Sequence, residues 1–210
     1  MPKLYLLGGE NVLKRSAQEV NERAFQDAEG PLFVAVFPWA RASFDRMYQK
    51  RKTLADYFIS LGAGTVDFIE YSDSRATIAQ KVASSNLIYL TGGLVNALVE
   101  RLKRMAVDRL LQDYPGVIVG RSAGALALCK KCVITSRWRQ KELVIEGLGL
   151  AELTMKAHYR PRKDEKLLLL SKREKIYSVP SRSAIVYDKG ICSFIGKVYL
   201  FDNGEKIRLQ

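Results

Sequence analysis

Short apolar runs alternate with amphipathic stretches over the first 130 residues, and this alternation restricts the fold more than any other feature. Leu4–Leu7, Leu32–Phe37, Val66–Tyr71, Leu87–Leu90 and Val117–Val119 read as strands. Asp45–Leu61, Ser74–Ser84 and Asn96–Asp113 read as helices, with apolar pairs such as Ile78 and Val82 or Leu98 and Leu102 at i, i+4 spacing. Ser122–Lys130 also reads as helical. Strands joined by helical crossovers pair in parallel. The expected fold is therefore α/β, a mostly parallel sheet with helices on both faces. After Glu146 the pattern changes. Gly147-Leu148-Gly149-Leu150 is a turn, Lys163–Ser171 a helix, and Ser183–Asp188, Ile191–Phe194 and Val198–Phe201 are short strands. The turns Asp188-Lys189-Gly190 and Asp202-Asn203-Gly204 predict antiparallel hairpins at the C-terminal edge. No linker divides the chain, so residues 1–210 are expected to form one domain.

Composition narrows the function classes. Apolar residues are 48% and charged residues 27% of the chain, which is globular and not disordered. The apolar runs are far shorter than the ~20 residues of a membrane span. Leu4–Leu7 before Gly8-Gly9-Glu10 is too short for the apolar core of a signal peptide. Three cysteines, Cys129, Cys132 and Cys192, make no disulfide scaffold and suit a reducing compartment, so a cytoplasmic location away from membranes is expected. Cys129-x-x-Cys132 lacks the further ligands of a zinc site and is read as buried packing; no metal and no cofactor are expected. The formal charge is +12, from 34 Lys and Arg against 22 Asp and Glu. It favours anionic partners in general, but no nucleic-acid-binding signature accompanies it, so nucleic acid is not an expected partner.

The segment that carries chemistry is Val117-Ile118-Val119-Gly120-Arg121-Ser122-Ala123-Gly124-Ala125. It places G-x-S-x-G between a strand and a helix, the setting of a nucleophile elbow. There the serine hydroxyl projects beyond the strand end, and the Ala123 N–H can face a developing oxyanion. Thr91-Gly92-Gly93 lies at another strand end before a helix. In a parallel sheet both turns open on one edge, so a glycine N–H can be the second donor. A serine nucleophile needs a base with pKa near neutrality, and His158 is the one histidine of the chain.

Gly120-Arg121-Ser122-Ala123-Gly124-Ala125, Gly92-Gly93, Gly147-Leu148-Gly149-Leu150 and His158-Tyr159, in this order, resemble the peptidase S51 family of dipeptidase E and cyanophycinase. The resemblance extends to the C-terminal hairpins. It implies a fold like that of class I glutamine amidotransferases, and exopeptidase activity on short peptides with an acidic (Asp) N-terminal residue. It implies Ser122 as nucleophile, His158 as base, and the N–H groups of Gly93 and Ala123 as oxyanion hole. It also implies an arginine that favours acidic substrates; Arg162 is the nearest match, with Arg160 beside it.

The chain departs from the family pattern at defined places. Leu94 stands where an Asn usually follows the glycine pair. An acid that orients the histidine is expected either near Arg137 or after a late Val-Pro, where Ser181-Arg182 follow Val179-Pro180. Glu142, Glu146 and Asp188 are substitutes that spacing does not rank. Altering that group costs about 10⁴ in turnover in a triad hydrolase. Two readings follow: an active serine peptidase on small acidic peptides, as monomer or homodimer, or a catalytically impaired homologue that binds an anionic ligand or partner.

Overall fold

A computed structural model describes residues 1–41, 51–134 and 143–210. The first sheet contains β1 (Lys3–Leu7), β2 (Leu32–Phe37), β3 (Ala63–Phe68), β4 (Leu87–Leu90), β5 (Val117–Arg121), β10 (Ala184–Asp188) and β11 (Ile191–Ile195). The second contains β6 (Cys129–Ile134), β7 (Leu143–Glu146), β8 (Ala151–Ala157), β9 (Ile176–Val179), β12 (Tyr199–Asp202) and β13 (Glu205–Arg208). The helices are α1 (Gln18–Asp27), α2 (Arg51–Ser60), α3 (Arg75–Ser84), α4 (Val95–Arg104), α5 (Val107–Gln112), α6 (Ala123–Leu128) and α7 (Asp164–Ser171).

The first sheet has seven strands in the order β11-β10-β1-β5-β4-β2-β3. Strands β1, β5, β4, β2 and β3 are parallel to one another, and the β10–β11 hairpin is added antiparallel beside β1. Central strands β4 and β5 are buried on both faces, as near-continuous apolar runs require. Side chains alternate between two cores. Tyr5, Leu7, Val34, Val36, Tyr89 and Val119 pack under α1 and α2. Leu4, Leu6, Phe37, Ile88, Leu90 and Ile118 pack under α3 to α6. The Lys189-Gly190 and Asn203-Gly204 turns have positive φ at both residues, the conformation of tight hairpin turns.

The second sheet, with six strands in the order β13-β12-β9-β8-β6-β7, goes beyond the sequence expectation. It shares the α6 core through Cys129, Cys132, Leu153, Met155 and Ala157. Its other face packs on α7 through Val133, Tyr159, Leu167, Ile176 and Phe201. Cys129 and Cys132 are fully buried, and desolvation pushes both thiols up, Cys132 to about 12.

Three element boundaries differ from the sequence reading. The expected helix Asn96–Asp113 is two helices, broken at Ala106 with φ 57°. The expected helix Ser122–Lys130 ends at Leu128, and Cys129 already begins β6. The strand expected at Val66–Tyr71 runs Ala63–Phe68 instead, starting directly after Gly62. The N-terminal part of the expected helix Asp45–Leu61, including Tyr48, lies outside the described residues, as do Arg137 and Glu142.

Candidate active site

The end of β5 is forced into a sharp turn by contact on all sides. A Cβ on Gly120 would lie 2.6 Å from the Ala125 N, and one on Gly124 would lie 2.2 Å from the Leu90 O. Only glycine fits at either position. Between them Ser122 holds φ 53° and ψ −105°, a costly backbone for an L residue. It is held there by its own N–H donating to the Leu7 O (2.9 Å) and its carbonyl accepting from the Leu126 N–H (3.0 Å). The elbow expected from the sequence is thus present in geometry. Gly93 and Ala123, the expected oxyanion-hole residues, line the same cavity as Ser122.

His158 follows the end of β8, in the second sheet, and reaches across to the first. Its Nε2 lies 2.8 Å from the Ser122 Oγ. The residue has φ 51°, and its backbone N–H donates to the Gly8 O at 2.9 Å. The other ring nitrogen, Nδ1, lies 3.1 Å from the Ser181 Oγ. Gly9 closes the remaining edge. A Cβ there would sit 2.1 Å from Cε1 of the ring and 3.0 Å from the Ser181 Oγ. The Gly9 carbonyl in turn accepts from the Arg182 N–H (2.8 Å), which ties the Pro180–Ser181 turn to the same loop.

The group at Nδ1 is therefore the Ser181 hydroxyl. Glu146 is exposed on β7, and Asp188 ends β10; neither is hydrogen-bonded to the ring. Burial holds the His158 pKa below its ordinary value, and the charges of Lys156, Arg121 and Arg160 add to the effect. Each mechanism disfavours the imidazolium.

A cavity of about 520 Å³ opens beside Ser122 and His158. Leu94, Val95, Leu126, Val133, Ile134 and Leu143 give it a mostly aliphatic wall, while Asn96, Glu100 and Lys156 are polar members. The side chain of Lys156 is buried, and its Nζ donates to the Ala157 O at 2.5 Å. Sequence reading missed Lys156; it lies two residues before His158, on the strand that leads to it, and that closeness was the available signal. Arg160 and Arg162 are exposed in and before the 3₁₀ turn Pro161–Lys163. Arg160 is near enough to act on the charge of His158, whereas Arg162 is not among the residues lining the cavity.

Glu10 was also missed. It accepts from Asn21 Nδ2 (3.2 Å) and from the Tyr89 hydroxyl (3.3 Å), and Arg121 stabilises its charge. Burial outweighs these partners and raises its pKa. Gly8-Gly9-Glu10 is thus a support loop, with the glycines against His158 and Pro180 and the carboxylate anchored beneath β4 and β5.

An elbow serine paired with a histidine, on a parallel α/β sheet, defines the class of serine-type hydrolases. The chain belongs to peptidase family S51, a family of serine-type peptidases whose profile matches residues 4–194. A peptidase structure from an acI-B1 Actinobacterium is similar, with a TM-score of 0.73 and 20% identity, covering 100% of this chain and 94% of that one. A candidate peptidase E from Listeria monocytogenes EGD-e has a TM-score of 0.70 and 20% identity, covering 93% and 98% of the two chains. Both likenesses are of fold. No curated protein matches the sequence. Among the described residues, no helix is long and apolar enough to cross a membrane.

Proposed function

We propose that this chain is a Ser-His exopeptidase that removes an acidic N-terminal residue from short peptides. The observation that carries the reading is the 2.8 Å contact between the Ser122 Oγ and His158 Nε2 at a strained elbow. Ser122 attacks the scissile carbonyl while His158 Nε2 takes the hydroxyl proton. The N–H groups of Gly93 and Ala123 receive the developing oxyanion. The imidazolium gives its proton to the leaving amine. Water, deprotonated by the same ring, then releases the acyl-enzyme. Because its pKa is lowered, the His158 ring keeps its proton-accepting form to lower pH than a free imidazole does.

The acidic preference rests on cations around the cavity. Lys156, which lines it, is the nearest candidate for the substrate carboxylate, and Arg160 adds positive charge near His158. Arg162 belongs to this reading only if the substrate extends out to the 3₁₀ turn. Three free thiols fit a reducing, cytoplasmic setting.

A second reading, a catalytically impaired homologue that binds an anion, draws on one observation: a hydroxyl stands at Nδ1 where a carboxylate would stabilise the imidazolium. A panel of dipeptides with Asp, Glu, Gln and Leu at the N-terminus separates the two. The proposed enzyme releases free amino acids from the acidic members, and Ser122→Ala lowers the rate by at least about 10⁴-fold. An absence of turnover, with a thermal shift on adding dicarboxylates, would establish the second reading instead.

A further inference from the structure

We infer that the Ser181 hydroxyl is the positioning group of His158, accepting the Nδ1 proton so that Nε2 faces Ser122 unprotonated. The active centre is then a Ser-His-Ser chain with an uncharged orienting member. The inference concerns the ring of His158 itself and does not require that any particular peptide be cleaved.

Three observations place the ring between fixed neighbours. Nδ1 lies 3.1 Å from the Ser181 Oγ, within hydrogen-bond reach. Gly9 packs on Cε1, leaving the ring no room to swing toward the β1 loop. The Ser181 turn is fastened to that same loop, through the Arg182 N–H to the Gly9 carbonyl and the Gly8 N–H to the Ser183 carbonyl (2.9 Å). Histidine, serine and glycine are therefore tied into one hydrogen-bonded unit. A neutral imidazole has one N–H and one bare nitrogen, and the partner of one nitrogen fixes the role of the other. Ser181 can accept from Nδ1–H while its own proton turns to solvent, since the residue is exposed. Nε2 is then left to accept from the Ser122 hydroxyl.

The proton path closes without using Ser181 as a base. The Ser122 proton passes to Nε2, the imidazolium keeps Nδ1–H on the Ser181 oxygen, and the Nε2 proton leaves with the amine. Ser181 gains and loses nothing. What it cannot supply is negative charge. The charged groups acting on the ring are Lys156 from β8, Arg121 from β5 and Arg160 beyond β8, all cationic. The imidazolium is stabilised here by direction alone.

His158 is the sole histidine, so ¹⁵N-histidine labelling of the full chain gives one imidazole to read without assignment. In the native protein the neutral ring is expected to carry its proton on Nδ1. Ser181→Ala should release the ring into a mixture of tautomers, and Ser181→Thr, which keeps the hydroxyl, should restore the native signature. Ser181→Asp should raise the titration midpoint by at least about one unit. A native ring protonated at Nε2, or one tautomer and one midpoint across all variants, would overturn the inference. Ser122→Ala, which abolishes the proposed peptidase, should leave the Nδ1 proton in place. Absence of hydrolysis with the expected spectra would therefore discard the peptidase reading and leave the role of Ser181 standing.

Discussion

Around the ring of His158, Ser122 meets Nε2, Ser181 meets Nδ1 and Gly9 meets the carbon between them. Each contact makes a different demand on its residue. Gly9 must lack a Cβ, because an added one would sit 2.1 Å from the ring. Gly9→Ala is expected to displace the imidazole and lower kcat by about 100-fold or more, with unchanged circular dichroism and a cooperative melt. Lys156 acts through charge. Replacing it by Met should move the acid limb of the pH–rate profile to higher pH, since one cation opposing the imidazolium is gone and the ring protonates sooner. The same change should cut the proposed preference for Glu over Gln at the substrate N-terminus by about 10–100-fold, the worth of one charge-assisted hydrogen bond. Rates for the matched Glu and Gln dipeptides, measured across pH, test both effects. In the native enzyme activity should persist into acid below pH 6.5, because the His158 pKa is shifted downward.

Helices and strands were legible where a local rule decided them. Ser74 caps α3 by accepting from the Thr77 N–H, and Ile78 and Val82 point into the core as their spacing required. Gly120 and Gly124 marked the elbow, because a turn that tight excludes side chains. Long-range pairing was not legible. Nothing local shows that Cys129–Ile134 leaves α6 to pair in parallel with β8. The Ser181–His158 contact was equally hidden, since β8 and β9 must align before residues 23 apart in sequence meet. The break at Ala106 was missed for another reason. Leu102, Met105 and Leu110 keep apolar periodicity across it, and the left-handed residue is an alanine rather than the usual glycine. Ala106→Gly should remove that strain. A rise in melting temperature of about 1–4 °C is expected, and a fall would show that the backbone is not strained there.

For the molecule as a whole, pH acts on stability through two partly desolvated groups with opposite signs. The pKa of His158 is lowered on folding, so its contribution to stability is lost as pH falls below 6.5. Glu10 has a raised pKa, so the folded state binds its proton more tightly than the unfolded chain. Its contribution is present below pH 4.5 and is lost as pH rises through the raised value. Glu10→Gln removes that loss. Thermal melts of both proteins across pH should therefore show the variant gaining on the native chain as pH rises from 4.5, and then running parallel to it.

The Ser122–His158 pair is divided between the two sheets: Ser122 directly follows a strand of the seven-stranded sheet, His158 a strand of the six-stranded one. Their 2.8 Å separation is thus a gauge of how closely the sheets are seated on one another. Slippage at this seam by an ångström breaks the contact while every strand stays paired. Heat or denaturant that loosens the seam should silence the enzyme before either sheet melts, making catalysis the first reporter of wear in the fold.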